Sequence, residues 1–252
     1  MNLDTNKDIS VILPTYNEVD NIHSMIDDIC GQLGNHRYEI IVVDDNSPDG
    51  TWKKVEKISK YNSNVRLIRR TAGQNLTSAI REGIHQSHGA LISWMDSDLS
   101  MPPKLLPELI HQTQHNGFDI AVGSRYVKGG GFVIVSGGMD SIMPAFLSST
   151  MNYFIRAFLS HRFNDYTSGF VVARKEVFKI IKLSGSYGEY FIDFIFRSMK
   201  KGYKVVEVPY ICQPRLHGKS KTGNNLPDYL RRSTKYFFTV TRLVVLNCIH
   251  KL

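Results

Sequence analysis

An α/β fold with a mainly parallel central sheet and helices on both faces is predicted by three features of the sequence. Short apolar runs alternate with segments of helical periodicity in units of about thirty residues. The runs are nearly continuous in apolar residues, as strands buried on both faces are. Each of the first four is followed by a polar loop, and right-handed crossovers between parallel strands bring such loops out at one edge of the sheet.

In chain order, residues 9–13 form a β-branched strand that ends at Pro14-Thr15-Tyr16-Asn17-Glu18, after which Ile22, Met25, Ile26 and Ile29 carry a helix to about residue 33. Residues 38–43 repeat the pattern and run into Asp44-Asp45-Asn46-Ser47-Pro48-Asp49-Gly50-Thr51, where Asp49 or Thr51 is placed to cap a helix over 52–61. A third unit has a strand at 65–69, a polar turn at 72–75 and a helix at 76–85. The fourth has a strand at 90–95, the acidic turn Asp96-Ser97-Asp98-Leu99-Ser100, and a helix over 104–116 whose start suits Pro102 and Pro103.

After a strand at 119–123 the pattern changes. Ser124-Arg125-Tyr126 leads into Gly129-Gly130-Gly131, and with Gly137 and Gly138 this reads as a long flexible loop of the kind that serves as a lid. A helix over 141–159, a turn through Thr167-Ser168-Gly169-Phe170, a strand at 171–173, helices over 176–183 and 190–201, and a strand at 204–208 follow. A basic stretch then runs from Arg215 to Lys221. The spacing of Leu226, Tyr229, Leu230, Phe237, Val240 and Val244 predicts a C-terminal amphipathic helix, so the chain is expected to divide into a main domain, 1–222, and a helical segment, 223–252.

A hydrophobic content of 42% with 21% charged residues excludes a disordered or low-complexity chain. The excess of 31 Lys and Arg over 23 Asp and Glu, a formal +8, favours an anionic partner. Nucleic acid is not that partner, because the basic residues are not interleaved with aromatics on one element. No stretch reaches the ~20 apolar residues that span a bilayer, and the longest, 236–249, is interrupted by Arg242. The polar first ten residues lack a signal peptide's apolar core, and Cys30, Cys212 and Cys248 lack metal-type spacing, so a reduced, cytoplasmic location is expected.

Asp96 and Asp98, delivered at the carboxyl end of a buried strand, supply the hard oxygens that Mg²⁺ or Mn²⁺ prefers, and such ions take one or two protein carboxylates and leave other positions to phosphates. Taken alone, Asp-X-Asp is equally a solvated turn or a helix cap. The parallel topology is what distinguishes it, since the loops carrying Tyr16 and Glu18, Asp45, and Asp96 to Asp98 are all expected at one acidic and aromatic crevice.

Assembled in order, Pro14-X-Tyr16-X-Glu18, the run from Asp44 to Thr51, Asp96-X-Asp98-Leu99-Ser100-X-Pro102-Pro103, Gly123-Ser124-Arg125-Tyr126, Thr167-Ser168-Gly169-Phe170 and Arg215-X-X-Gly218-X-Ser220-Lys221 resemble the dolichyl-phosphate (polyprenyl-phosphate) mannosyltransferases, inverting family-2 glycosyltransferases of GT-A fold. The resemblance covers residues 9–221. It implies that Pro14, Tyr16, Glu18, Val43 and Asp45 hold the nucleoside of a nucleotide-sugar. Asp96 and Asp98 would hold Mg²⁺ or Mn²⁺ against the diphosphate, with Ser97 adjoining and Ser100 a further oxygen ligand. Arg125, Arg215 and Lys221 match cationic positions facing the sugar-diphosphate and the lipid phosphate. Gly137-Gly138-Met139-Asp140 stands where the family often has basic residues, Asn75-Leu76-Thr77 where it commonly has Gly-Leu-Gly, and Asp193 in place of a usual Glu.

The implied reaction is transfer of mannose from GDP-mannose to a polyprenyl phosphate. The amphipathic helix would make peripheral contact with the cytoplasmic face of a membrane or with a small membrane partner subunit. Two alternatives stay open. One is a UDP-hexose-dependent transferase acting on a lipid phosphate or on a glycan hydroxyl, the latter needing Glu189 or Asp193 as a base in the cleft. The other is a non-catalytic nucleotide-sugar binding or scaffold protein.

Overall fold

The computed structural model describes residues 7–73, 75–133, 139–218 and 226–249, with 139–147 and 226–232 described as helix backbone only. A seven-stranded sheet carries the fold. In chain order come β1 (Ile9–Thr15), α1 (Ile22–Leu33), β2 (Tyr38–Asp44), α2 (Thr51–Tyr61), β3 (Val65–Arg69), α3 (Leu76–Gln86) and β4 (Leu91–Trp94). They continue through a 3₁₀ turn at Pro103–Leu105 into α4 (Leu106–Gln114), then β5 (Ile120–Ser124), β6 (Gly131–Phe132), α5 (Met139–Phe158) and β7 (Val171–Arg174). The chain closes with α6 (Val177–Ile180), α7 (Glu189–Lys200), β8 (Val205–Pro209), β9 (Ile211–Cys212) and α8 (Leu226–Cys248).

The strand order is β3-β2-β1-β4-β7-β5-β8, and β7 runs antiparallel to both of its neighbours while every other pair is parallel. The order reverses between β1 and β4, the switch point at which open α/β sheets hold their ligands. Successive strand residues face opposite layers. Ile9, Val11 and Leu13 of β1 pack toward α1 and α4, whereas Ile12 packs into the second core with Trp94 and residues of α3 and α7. Burial on both faces explains the unbroken apolar runs.

Trp94 organises the second core. Its ring meets Phe178 and Phe194 edge-on, those two stack at 5.6 Å, and its Nε1 donates to Tyr190 Oη at 2.7 Å. The strand that carries the acidic turn is thereby fastened to α7. Val240 and Leu243 of α8 enter this core as well.

Two expectations are corrected. The helix expected over 176–183 stops at Ile180, because Ile181 and Leu183 are buried and Lys182 between them is exposed, an extended period of two. The loop after β5, expected to be wholly flexible, is pinned by parallel pairing of β6 with β9, while Gly137 and Gly138 lie outside the described residues.

Gly89 allows β1 and β4 to approach: a Cβ there would collide with the backbone nitrogen of Ser10 and stand 2.6 Å from the carbonyl carbon of Ile9. Backbone in a central strand cannot yield as a side chain does. Gly89→Ala is expected to destabilise the protein by about 1–3 kcal/mol, read as a lower urea midpoint at unchanged slope.

Candidate functional site

The loops after β1, β2 and β4 meet the segment after β9 around a cavity of about 850 Å³. Among the described residues, three other than glycine adopt left-handed backbone, Asn17 (φ 55°), Asn46 (φ 56°) and Leu99 (φ 65°), one in each of these loops. Such conformations persist only where the surroundings enforce them. Asp44 does much of the enforcing: its buried carboxylate accepts from Thr15 Oγ1 at 2.9 Å, from the Ser47 N–H at 2.8 Å and from Ser47 Oγ at 2.6 Å, while Ser47 Oγ accepts the Asn17 N–H. Asp49 accepts from the Thr51 and Val19 N–H groups. Most of the acidic run is therefore a fastening between two loops, and within it Asp45 reaches the cavity. Burial raises the pKa of Asp45, against the pull of Arg70, whose Nε donates to it at 2.7 Å.

In the acidic turn the two carboxylates have different surroundings. Asp98 is buried, accepts the Ser100 N–H at 3.0 Å and pairs with Arg215 at 2.8 Å. The same guanidinium donates to Glu18 at 2.9 Å, and Glu18 also accepts from Asn21 Nδ2 at 2.7 Å. Asp96 is exposed, its side chain open to the cavity, and among the described residues its carboxylate has no hydrogen-bond or ion-pair partner. Desolvation, and then the neighbouring Asp98 carboxylate, raise its pKa to about 7, with Arg215 acting in the opposite sense. Ser97 Oγ donates to the Pro14 carbonyl at 3.3 Å, and the Ser100 carbonyl accepts the Gln213 N–H at 2.9 Å.

An unpartnered carboxylate beside a paired one is a donor set that fits a divalent cation. Among the described residues no group of three or more His, Cys, Asp and Glu side chains is gathered for a metal, so a cation here would be shared with phosphate oxygens.

On another wall Arg125 donates through Nε and Nη2 to buried Asp165, at 2.8 and 2.7 Å, and through Nη2 to Thr167 Oγ1 at 2.9 Å. Burial opposes its charge, but the Asp165 carboxylate overrides this and holds its pKa well above the ordinary value.

Pro14, Tyr16, Glu18, Asp45, Asp96, Ser97, Asp98, Ser100, Arg125 and Arg215 all line one cavity. Val43 does not: it is fully buried with its side chain in the core. Lys221 lies outside the described residues. Glu189 and Asp193 are turned to other work, Glu189 accepting the Ser186 and Tyr187 N–H groups and Asp193 pairing with Arg197 and with Arg242 of α8. Sequence reasoning missed Arg70, although it directly follows β3 at the same sheet edge. It also missed the wall built by α8, where Tyr236 sits so close to Gly188 that a Cβ there would collide with its hydroxyl.

The doubly wound sheet with an acidic turn at its switch point defines a nucleotide-sugar transferase of GT-A-like fold. Residues 10–181 match the model of glycosyl transferase family 2, and the chain belongs to that family. A dolichol-phosphate mannosyltransferase of Pyrococcus furiosus is 36% identical over 96% of this chain and 68% of its own length. A polyprenol monophosphomannose synthase of Mycolicibacterium smegmatis is 34% identical over 86% of this chain and 82% of its own. Among solved structures, glucosyl-3-phosphoglycerate synthase from Mycobacterium tuberculosis, in complex with Mn²⁺, UDP and glucosyl-3-phosphoglycerate, superposes with a TM-score of 0.68 at 19% identity, covering 94% of this chain and 80% of that one.

Asp165→Ala would strip the countercharge from Arg125, whose side chain is only 11% exposed. Removing one partner of such a pair costs about 3–5 kcal/mol, so the variant is expected to unfold at a much lower denaturant concentration, as followed by circular dichroism.

Proposed function

We propose that the protein is an inverting glycosyltransferase that moves mannose from GDP-mannose to a polyprenyl phosphate with the help of Mg²⁺ or Mn²⁺. The observation that carries this reading is the unpartnered Asp96 carboxylate beside Asp98 at the switch point of a family-2 sheet. The names of the two relatives above support the sugar and the acceptor.

Tyr16, 46% exposed at the cavity, offers an aromatic face to the base, and Asp45 and Glu18 offer acceptors to ribose hydroxyls or base N–H groups. Asp96 and Asp98 would hold the cation, with Ser100 nearby, and the cation supplies neutralising charge for the departing diphosphate. Arg215 carries its charge between the loops of Glu18 and Asp98, where a diphosphate would lie. Arg125, oriented by Asp165 and bonded to Thr167, lines the same cavity and suits a phosphoryl oxygen.

A phosphate acceptor is already an anion at neutral pH and needs no strong base. Neither of the two candidate bases for a hydroxyl acceptor lines the cavity, and both are engaged, Glu189 by the Ser186 and Tyr187 N–H groups and Asp193 by Arg197 and Arg242, which favours the phosphate. In-line attack opposite the diphosphate inverts the anomeric centre.

No helix among the described residues is long and apolar enough to cross a membrane. Exposed aromatics nevertheless gather on α5 and α8: Tyr153, Phe158, Phe237 and Phe238 are 54–77% exposed, and Phe154 stacks on Phe237. Such rings suit the headgroup layer of a membrane, which supports peripheral contact at a cytoplasmic face or with a membrane partner subunit.

With radiolabelled GDP-mannose and a polyprenyl phosphate, label is expected in the lipid extract, chelator should abolish it, and Mg²⁺ or Mn²⁺ should restore it. Asp98→Asn is expected to lower turnover by about 100-fold or more, the scale of a lost few kcal/mol of charge stabilisation. Turnover with UDP-glucose in preference, or undiminished turnover in the presence of chelator, would overturn the donor or the metal assignment respectively.

A further inference from the structure

We infer that Lys235 of α8 is the residue that receives the phosphate head of the acceptor at the mouth of the cavity, an assignment that rests on the acceptor proposed above. Among the described residues, the cations that line the two hollows of the protein are Arg125, Arg215, Lys235 and Arg242. Three of them are already matched by carboxylates: Arg125 by Asp165, Arg215 by Glu18 and Asp98, and Arg242 by Asp193. Lys235 has no carboxylate partner among the described residues and meets a neutral one, donating from Nζ to Ser186 Oγ at 2.6 Å. A cation with no direct carboxylate partner among the described residues, held by a hydroxyl that itself donates to Glu189, is placed to take a phosphate monoester, to which an ammonium binds as a strong point charge.

The position of Lys235 matches the shape of a prenyl phosphate. Beside the cavity lies a shallower groove of about 380 Å³, lined by Ser184, Gly185, Glu189, Phe238 and Thr239 together with Arg242, and Ser186 and Lys235 line both hollows. A charged head seated on Lys235 leaves its chain beside Phe238, which is 69% exposed on the next residues of the same helix. The carboxylates of the cavity belong to the loops after β1, β2 and β4, whereas Lys235 belongs to the wall between α7 and α8, where the one carboxylate of the groove among the described residues, Glu189, is already engaged by the Ser186 and Tyr187 N–H groups and the Ser186 hydroxyl. The close fit of Tyr236 against Gly188 holds that wall in position.

The test is equilibrium binding of a short-chain, water-soluble prenyl phosphate to the full chain in the presence of GDP and Mg²⁺, with GDP binding and thermal unfolding measured alongside. Lys235→Gln is expected to weaken prenyl phosphate binding about tenfold at unchanged GDP affinity and unfolding temperature, and Lys235→Arg to remain within about threefold of the parent. Equal binding by the parent and Lys235→Gln would overturn the role of Lys235 and leave the acceptor reading intact. Weakened GDP binding in Lys235→Gln would assign the lysine to the donor and overturn it too. A loss seen only when the acceptor is presented in anionic vesicles would assign it to the lipid surface. No binding of prenyl phosphate by the parent would overturn this role together with the acceptor itself.

Discussion

Crowding of carboxylates at one edge of the sheet is the constraint around which this molecule is built. Glu18, Asp45, Asp96 and Asp98 share a cavity whose walls are protein, and like charges in such surroundings repel far more strongly than in water. Arg70 answers Asp45, and Arg215 answers Glu18 and Asp98 together. Glu18 and Arg215 are 197 residues apart in the chain, so this one guanidinium closes the fold across nearly its whole length. Asp96 is left over among the described residues, and desolvation and the Asp98 carboxylate raise its pKa against the pull of Arg215.

Holding such groups in place requires a rigid frame, and the local chemistry of the loops supplies it. Left-handed Asn17, Asn46 and Leu99 cost free energy that Asp44, Ser47 and the Asp98 to Ser100 turn offset with short hydrogen bonds. Behind the acidic turn, the aromatic core around Trp94 fixes the end of β4 against α7. Groups that are positioned before a substrate arrives need little reorganisation when charge develops, which is the larger part of what an enzyme can contribute electrostatically.

A second consequence concerns α8. Its amphipathic face does not merely cover the domain: Leu243 and Val240 enter the core, Arg242 reaches buried Asp193, and Lys235 and Tyr236 form cavity wall. Of the exposed aromatics of the same helix, Phe238 lines the adjoining groove and Phe237 stacks on Phe154 of α5. One element thus links the apolar surface of the protein to the cavity in which two anions would have to meet, and any tilt of α8 against α7 alters the width of that cavity.

The sequence alone determined the alternation of strands and helices, the parallel sheet and the place of its acidic loops, because buried strands and amphipathic helices are written in local periodicity. It also marked Asp45, Asp96 and Asp98, since loops that follow parallel strands must emerge together, while Arg125 and Arg215 were marked by the family resemblance of their motifs. The same resemblance placed Val43 with them, although the strand's alternation turns that side chain into the core. Tertiary structure alone decided which charges are paired: that Asp44 is a fastening and Asp45 is not, that Asp98 is neutralised and Asp96 has no partner among the described residues, and that Glu189 and Asp193 do not line the cavity. Pairing depends on distances of about 3 Å between residues remote in the chain, and no local pattern encodes such distances.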